Sequence, residues 1–365
     1  MKTEDVKNCM TAKKEKSTPI EEMELLHTGS TLLNLACSGK SDGGFPQGCY
    51  IFFVGDSMSG KTWFSLTCMA EASIDERFDD YRFIYDNVER GARMDLIRYF
   101  GQKMADRLEP PAVDEDGDPV YSSYAEEFYF NLDDAFEVGK PFIYIMDSMD
   151  SLDTFADDKK MGEWKKDHRA GKATKGTYGM SKAKLNSTNL RKICARLEKT
   201  GSILIVISQT RDNVDPKQPF QTKTRGGGRA LRFYATIEMW SSVIGKIQKT
   251  YKDKKRQIGS NVKLKIQKNR LTGKECEVVV PIYHSIGIDD IGSCIDYLVD
   301  EKVWTQTKSG VVSPNNIGPV KPMRRDKLIE YIEKHDLVMD VQDLVGDEWQ
   351  KIVDATAVKR KPKYE

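Results

Sequence analysis

Ile51-Phe-Phe-Val-Gly55-Asp-Ser-Met-Ser-Gly60-Lys61-Thr62 runs straight into Trp63-Phe-Ser-Leu66. The stretch reads as an apolar strand, a G-x-x-x-x-G-K-T loop and the start of a helix, and that succession decides the fold. Gly55 and Gly60 permit backbone angles and close approaches that a side chain would block. The N–H groups of Asp56, Ser57, Met58 and Ser59 can therefore turn inward toward phosphate oxygens. Lys61 supplies a point charge for β- and γ-phosphates, and the Thr62 hydroxyl can ligate Mg²⁺. The helix N-terminus behind them adds a partial positive charge. A nucleoside triphosphate with Mg²⁺ is the expected ligand.

Three further strands end in groups suited to such a ligand. Phe142-Ile-Tyr-Ile-Met-Asp147-Ser148 is a buried strand tipped by a carboxylate, and Asp147 there can support the metal. Hydrolysis also needs a carboxylate to activate water. Phe83-Ile-Tyr-Asp86-Asn-Val-Glu89 offers Glu89 as the candidate and Asp86 as the alternative. Ser202-Ile-Leu-Ile-Val-Ile-Ser208-Gln209 finishes in an amide that can sense a γ-phosphate or its water.

Short apolar runs alternate with helical patterns from 28 to 285, the pattern of a mostly parallel sheet covered by helices on both faces. Expected strands are 49–54, 83–86, 141–147, 202–208, 236–244, 262–267 and 277–281. Residues 156–182 lack apolar periodicity and are rich in Lys and Gly, so a long loop is expected there; 211–229 reads as a second. Helical patterns follow at 289–299 and 325–335, with a Trp304…Gly310 turn between them. The expected organisation is an arm over 1–25 able to dock on another subunit, an ATPase core over 26–285, and a small α/β region over 286–365 with a basic tail.

Of 365 residues 39% are hydrophobic, enough for a substantial core. Net charge is +1, but it is unevenly spread: 159–192 holds eleven Lys or Arg against two acids, and 246–256 holds six against one. Such blocks on a balanced chain suit either a polyanion-binding face or solvated helix surfaces. Seven scattered cysteines without C-x-x-C, and four dispersed histidines, argue for reduced thiols and no structural metal. The charged start Met1-Lys-Thr-Glu-Asp5 has no apolar stretch after it, and no run is long enough for a membrane span. A cytoplasmic location is expected, with no membrane partner.

In order, the chain shows a phosphate loop, an acid-tipped strand, an Asp-Ser strand, a basic segment, a strand ending in Gln, and Arg225-Gly226-Gly227-Gly228-Arg229-Ala-Leu231. That order resembles the RecA family of strand-exchange ATPases, and more closely its bacteriophage branch, the UvsX-type recombinases. Leu26-His-Thr-Gly-Ser-Thr-Leu-Leu-Asn34 and Gly44-Phe-Pro-Gln-Gly48 resemble the family's approach to its first core strand, and Tyr283-His-Ser-Ile-Gly287 the segment that closes the core. The resemblance covers about 26–300.

It implies a RecA-like P-loop ATPase core, with ATP as its nucleoside triphosphate, and a DNA-dependent ATPase that forms helical filaments on single-stranded DNA. Homologous pairing with duplex DNA, strand exchange and work on DNA in a bacterial host cell would follow. It further implies that Gln209 couples the γ-phosphate to the second DNA loop, and that Lys268 and Arg270 reach ATP bound to a neighbouring subunit. The two loops would hold DNA through Lys165, Lys166, Arg169, Phe220, Arg225, Gly226, Gly227, Gly228 and Arg229, with Phe220 or Trp164 stacking on bases. Three features depart from the family. Glu89 lies three residues after Asp86 rather than two, the first loop is longer and more basic, and the chain ends in Lys359-Arg-Lys-Pro-Lys363 instead of an acidic tail. A replicative hexameric helicase shares the core but normally brings an N-terminal collar domain, for which the residues before 26 leave no room. The displaced Glu89 keeps a third reading open, an ATP-gated DNA-binding scaffold with little turnover.

Overall fold

The computed structural model describes residues 20–91, 94–169, 180–212, 223–226, 228–312 and 321–360. Its centre is a nine-stranded sheet of β1 (Tyr50–Gly55), β2 (Arg82–Asp86), β3 (Phe142–Met146), β4 (Ile203–Asp212), β5 (Lys223–Arg225), β6 (Ile237–Tyr251), β7 (Lys254–Asn269), β8 (Cys276–Tyr283) and β9 (Gly287–Ile288). The spatial order is β9-β8-β7-β6-β1-β4-β3-β2, with β5 paired to the far end of β4. From β6 through β2 all neighbours are parallel, while β7, β8 and β9 extend the sheet as antiparallel strands. The parallel half is the α/β core expected from the sequence.

Side chains alternate between the two faces of a strand, and here both faces are apolar. Ile51, Phe53, Ile143, Ile145, Ile203, Ile205 and Ile207 enter one buried cluster, under α1 (Thr31–Ser38) and α2 (Lys61–Ile74). Tyr50, Phe52, Val54, Tyr144, Met146, Leu204 and Val206 enter the other. Helices α3 (Ala125–Glu137), with Phe128 and Leu132, and α5 (Met180–Thr200), with Leu190, Ile193 and Leu197, cover that second face. The first cluster continues into α7 (Asp290–Asp300), α8 (Arg325–Lys334) and α9 (Val338–Thr356) through Ile295, Leu298, Ile332, Val341 and Val345. Asp290 ties these helices to α1: it accepts from Thr31 N at 2.6 Å, Thr31 Oγ1 at 2.8 Å and Gln342 Nε2 at 3.0 Å. Leu25 and Leu26 are buried against the same chain, paired with Phe45 and Pro46. Among the described residues no helix is long and apolar enough to cross a membrane.

The structure corrects the expected loop at 156–182. Phe155–Arg169 is a helix, α4, and α5 begins at Met180; 170–179 lie outside the described residues. Thr154 starts α4 as an N-cap: its Oγ1 accepts from Asp157 N at 3.1 Å and donates to Asp157 Oδ2 at 2.8 Å. Acids at Asp157 and Asp158 and bases at Lys166, His168 and Arg169 complement the helix dipole. Asp157 is its one buried residue, so α4 carries no apolar stripe for periodicity to detect. The second expected loop is also partly ordered, since β4 continues to Asp212 and pairs with β5. Residues 213–222 lie outside the described residues. The expected strands at 236–244 and 262–267 are longer than their apolar cores, running 15 and 16 residues as β6 and β7.

Candidate functional site

The C-terminal ends of β1, β2, β3 and β4 converge on a cavity of about 410 Å³, lined by Ser57, Met58, Ser59, Gly60, Lys61, Thr62, Glu89, Asp147 and Gln209 among others. Strand β1 delivers the loop and α2 carries it away, as the spacing of the glycines requires. A Cβ on Gly55 would stand 2.1 Å from Ser241 Oγ and 2.6 Å from Ser59 Oγ. Gly60 sits at φ 84°, a left-handed conformation that favours glycine. The loop is thus a cradle shaped by missing side chains, with the first turn of a 14-residue helix at its floor. Ser59 Oγ and Ser241 Oγ, 2.6 Å apart, fix its far wall.

Lys61 is buried and donates to Gly55 O at 3.0 Å and Asp56 O at 2.7 Å, which holds its ammonium at the loop mouth. Burial lowers its pKa, opposed by the charges of Asp147, Glu89, Asp56 and Asp150. Thr62 Oγ1 donates to Asp147 Oδ2 at 2.5 Å, and the Tyr85 hydroxyl reaches the same oxygen at 3.3 Å. Burial raises the Asp147 carboxyl despite the Thr62 hydrogen bond. A hydroxyl and a carboxylate meeting inside a phosphate-sized cradle fit Mg²⁺, which takes hard oxygen donors. Thr62 would hold the ion, with Asp147 supporting it directly or through water; the bound ion would neutralise charge on the phosphates.

The two candidate bases are separated cleanly. Asp147 N donates to Asp86 O at 3.0 Å, and Glu89 N donates to Asp147 O at 3.1 Å. The turn from Asn87 to Arg90 takes up the additional residue, so Glu89 returns to the cavity although it lies three places after Asp86. Glu89 Oε1 accepts from Ser148 Oγ, from Ser151 Oγ at 3.3 Å and from Gln209 Nε2 at 2.8 Å. Asp86 instead faces away, accepting from Ser122 N at 3.1 Å, Ser122 Oγ at 2.6 Å and Tyr144 OH at 3.0 Å. Burial raises its pKa in spite of those bonds.

Gln209 is joined to more than Glu89. Its N–H donates to Asp150 Oδ2 at 2.7 Å, Ser208 Oγ donates to the same oxygen at 2.6 Å, and Thr210 Oγ1 donates to Asp56 of the phosphate loop. Ser148, Asp150, Ser151 and Thr210 escape a reading of the sequence, because their partners are distant along the chain. Met94, Gln257, Ser260 and Ile282, which also line the cavity, belong to none of the motifs read from the sequence.

Lys268 and Arg270 are not brought to this cavity. Lys268 pairs across the ladder with Glu238, which pairs with Phe52, three residues before Gly55 and so about 10 Å back along β1. There Lys268 Nζ donates to Arg232 O at 2.7 Å and Phe233 O at 2.8 Å, and Arg270 donates to Phe233 O at 2.5 Å. The two cations thus cap the last carbonyls of α6 (Arg229–Tyr234). Burial and the neighbouring Arg270 push the Lys268 pKa down to about 8.

The expected DNA-contacting residues are placed in part. Lys165, Lys166 and Arg169 are exposed on α4, and Trp164 is half-buried. Arg225 ends β5 opposite Thr210, while Phe220 and Gly227 lie outside the described residues. Arg229 opens α6 and is exposed, and Gly226 is half-buried. Gly228 has an internal reason to be glycine: at φ 83° and ψ 178°, its Cβ would meet Ala183 Cβ of α5 at 2.8 Å.

Comparison with known proteins points the same way. A family model described as the RecA N-terminal domain matches residues 163–289, a span that holds Gln209, Lys268 and Arg270 but begins after the phosphate loop. Protein RecA of Xanthomonas campestris pv. campestris (strain B100) is 26% identical over 292 residues, covering 78% of this chain and 74% of that protein. The chain is similar to RecA. Protein RecA of Xylella fastidiosa (strain M12) is 28% identical over 292 residues, covering 78% of this chain and 73% of its own length. RecA similarity at this level, together with the α/β sheet and its phosphate-loop geometry, supports a RecA-type recombinase.

Proposed function

We propose that this protein is an ATP-dependent DNA recombinase that polymerises on single-stranded DNA as a helical filament. In this reading it promotes homologous pairing and strand exchange with duplex DNA and hydrolyses ATP when DNA is bound. The observation that carries the reading is the bond from Gln209 to Glu89, made at the rim of the phosphate-loop cavity by a residue one step from the β4–β5 arm. Gly55 to Thr62 bind ATP and Mg²⁺, Asp147 supports the metal, and Glu89 activates the attacking water. Gln209 reports the γ-phosphate to the second loop.

Lys268 and Arg270 act on the ATP of an adjacent subunit. Their position at the opposite end of the sheet from their own phosphate loop supports that division of labour. The core spans 26–285, with 1–25 docking on a neighbour and 286–365 forming a smaller region. Closeness to the UvsX-type branch, and work on DNA inside a bacterial cell, belong to the same proposal and rest on the sequence motifs.

Negative-stain microscopy with single-stranded DNA, Mg²⁺ and a slowly hydrolysed ATP analogue tests assembly, and phosphate release with and without DNA tests turnover. Helical filaments with DNA-stimulated turnover are expected. Closed rings would favour a helicase, and filaments without turnover would favour the scaffold reading.

A further inference from the structure

The basic block at 246–256 has no part in the site just described, and the fold gives it a definite form. It is the tip of a two-stranded ribbon made by β6 and β7. Neighbouring β8 pairs with β7 only as far as Gly259, so the pairs Gln248–Gln257 to Tyr251–Lys254 stand clear of the sheet. Residues 248–257 are exposed throughout. Lys249 lies directly across from Arg256, and Tyr251 across from Lys254. By strand alternation these four share one face, while Lys255, opposite Thr250, is on the other.

A hairpin that only needed to be stable would not be written this way. Like charges directly opposite each other destabilise a ladder, yet Lys249 faces Arg256. Lys249, Lys254, Lys255 and Arg256 make no ion pair among the described residues. Lower on the same strand, Lys263 and Lys265 share Glu277 at 3.4 Å each, so these two cations in the body of the sheet do have a carboxylate. The turn is also costly. Lys252 at φ 50° and Asp253 at φ 58° occupy positions that two-residue hairpins normally give to Asn-Gly or Asp-Gly. Tyr251 is 60% exposed beside them, with Lys252 Nζ 5.5 Å from its ring centre.

We propose that this ribbon is a duplex-DNA binding arm, distinct from the two loops. A two-stranded ribbon fits the major groove. Cations on both of its faces match a slot walled by two phosphate strands better than a single strand lying along one face. The ribbon leaves the phosphate-loop end of the sheet, since Ser241 of β6 pairs with Gly55. At its base Gln257 and Ser260 line the nucleotide cavity. Duplex on the arm would therefore press on a wall of the ATP site. The inference rests on the DNA part of the function proposed above.

The test uses the full chain with an ATP analogue and follows anisotropy of labelled duplex and of labelled single strand across a salt series. One variant carries K249S, K254S, K255S and R256S together. A second replaces 249–256 with Asn-Gly, closing the ribbon at the Gln248–Gln257 pair without touching the cavity. In the first variant the slope of log affinity against log salt should flatten by about 3.6 for duplex if each of the four cations meets one phosphate, and by at least as much in the second, which also removes Lys252. The single-strand slope and binding of a fluorescent nucleotide should stay as in the wild type. An unchanged duplex slope in both variants overturns the arm, as does a loss confined to single strands or to a poly-glutamate probe. Wild-type protein that binds no DNA and shows no DNA-stimulated turnover overturns the recombinase reading itself, a result separable from failure of the arm alone.

Discussion

Exchanging Glu89 for glutamine and Asp86 for asparagine should give two phenotypes that do not overlap. All three hydrogen bonds to Glu89 end on Oε1, so a glutamine carbonyl placed there keeps the donors of Ser148, Ser151 and Gln209 satisfied. What is lost is the proposed base. General bases contribute ~10²–10⁴-fold, which at 1.36 kcal/mol per tenfold raises the barrier by about 2.7–5.4 kcal/mol. Nucleotide affinity and melting temperature should not move. Asp86 is the reverse case. Its two oxygens meet one backbone N–H and two hydroxyls, and Ser122 Oγ already accepts from Asn131 Nδ2 at 3.0 Å. An asparagine must turn its NH₂ toward one of these donors, a mismatch costing about 1–3 kcal/mol. With an unfolding entropy of about 2.1 cal/mol/K per residue, a chain of this length should melt roughly 1–4 °C lower. Turnover by the folded fraction should be unchanged. Phosphate release in the presence of single-stranded DNA, a fluorescent-nucleotide titration and a thermal melt read all three quantities. Wild-type turnover in Glu89→Gln combined with slow turnover in Asp86→Asn would refute the assignment.

Gly228→Ala should cost about 1–3 kcal/mol in a thermal melt, since the backbone there is one that only glycine adopts readily and the new Cβ collides with Ala183; an unshifted melt would show that α5 and α6 part freely. Replacing Arg225 and Arg229 with Ala should flatten the salt dependence of single-strand binding by about 1.4, or 0.7 for each phosphate no longer neutralised; an unchanged slope moves the DNA site to α4. Filament turnover should fall as pH rises through about 8, where Lys268 loses its charge, and Lys268→Arg should remove that fall because a guanidinium stays protonated. Stability should run the other way: a depressed folded pKa means the unfolded chain binds the proton more tightly. The stability Lys268 contributes is therefore present above the ordinary lysine value and lost as pH falls through about 8. Flat turnover over this range in the wild type would remove Lys268 from the reaction.

How much of the molecule could be read from its sequence depends on what each segment buries. Strands β1, β3 and β4 are apolar on both faces because helices cover both, so their runs are nearly continuous and their ends stand out against Gly55, Asp147 and Gln209. Helix α4 buries Asp157 alone, which leaves the Thr154 cap and the acids and bases at its two ends as its local signals. The distal ends of β6 and β7, residues 248–257, are exposed on both faces, so no alternation extends the strands to their tip. Helix α9 does carry a short stripe, Val341 and Val345 one turn apart, but acids and a glycine interrupt it. In the site, the phosphate loop is legible because its motif lies within eight residues. The shell around Glu89 is not, because Ser148, Ser151 and Gln209 arrive from 59, 62 and 120 positions away.

Those distant partners decide how the proposed ATPase would communicate with DNA. Gln209 sits where three constraints meet: its amide holds Glu89, its N–H is fixed by Asp150, and Thr210 beside it holds Asp56. Thr210 is also the first residue of β4 to pair with β5, across from Arg225. A γ-phosphate competing for the Gln209 amide would break the bond to Glu89, freeing the carboxylate for water. The strand cannot follow freely, because the Asp150 bond pins the Gln209 backbone and the Asp56 bond holds the Thr210 side chain. The displacement would therefore pass outward along β4 into the β4–β5 arm rather than dissipate in the sheet. DNA held by that arm would act on Glu89 in return, since coupling of two binding equilibria is reciprocal. Gln209→Ala should accordingly uncouple the two sites, leaving ATP and DNA each bound but turnover no longer raised by DNA.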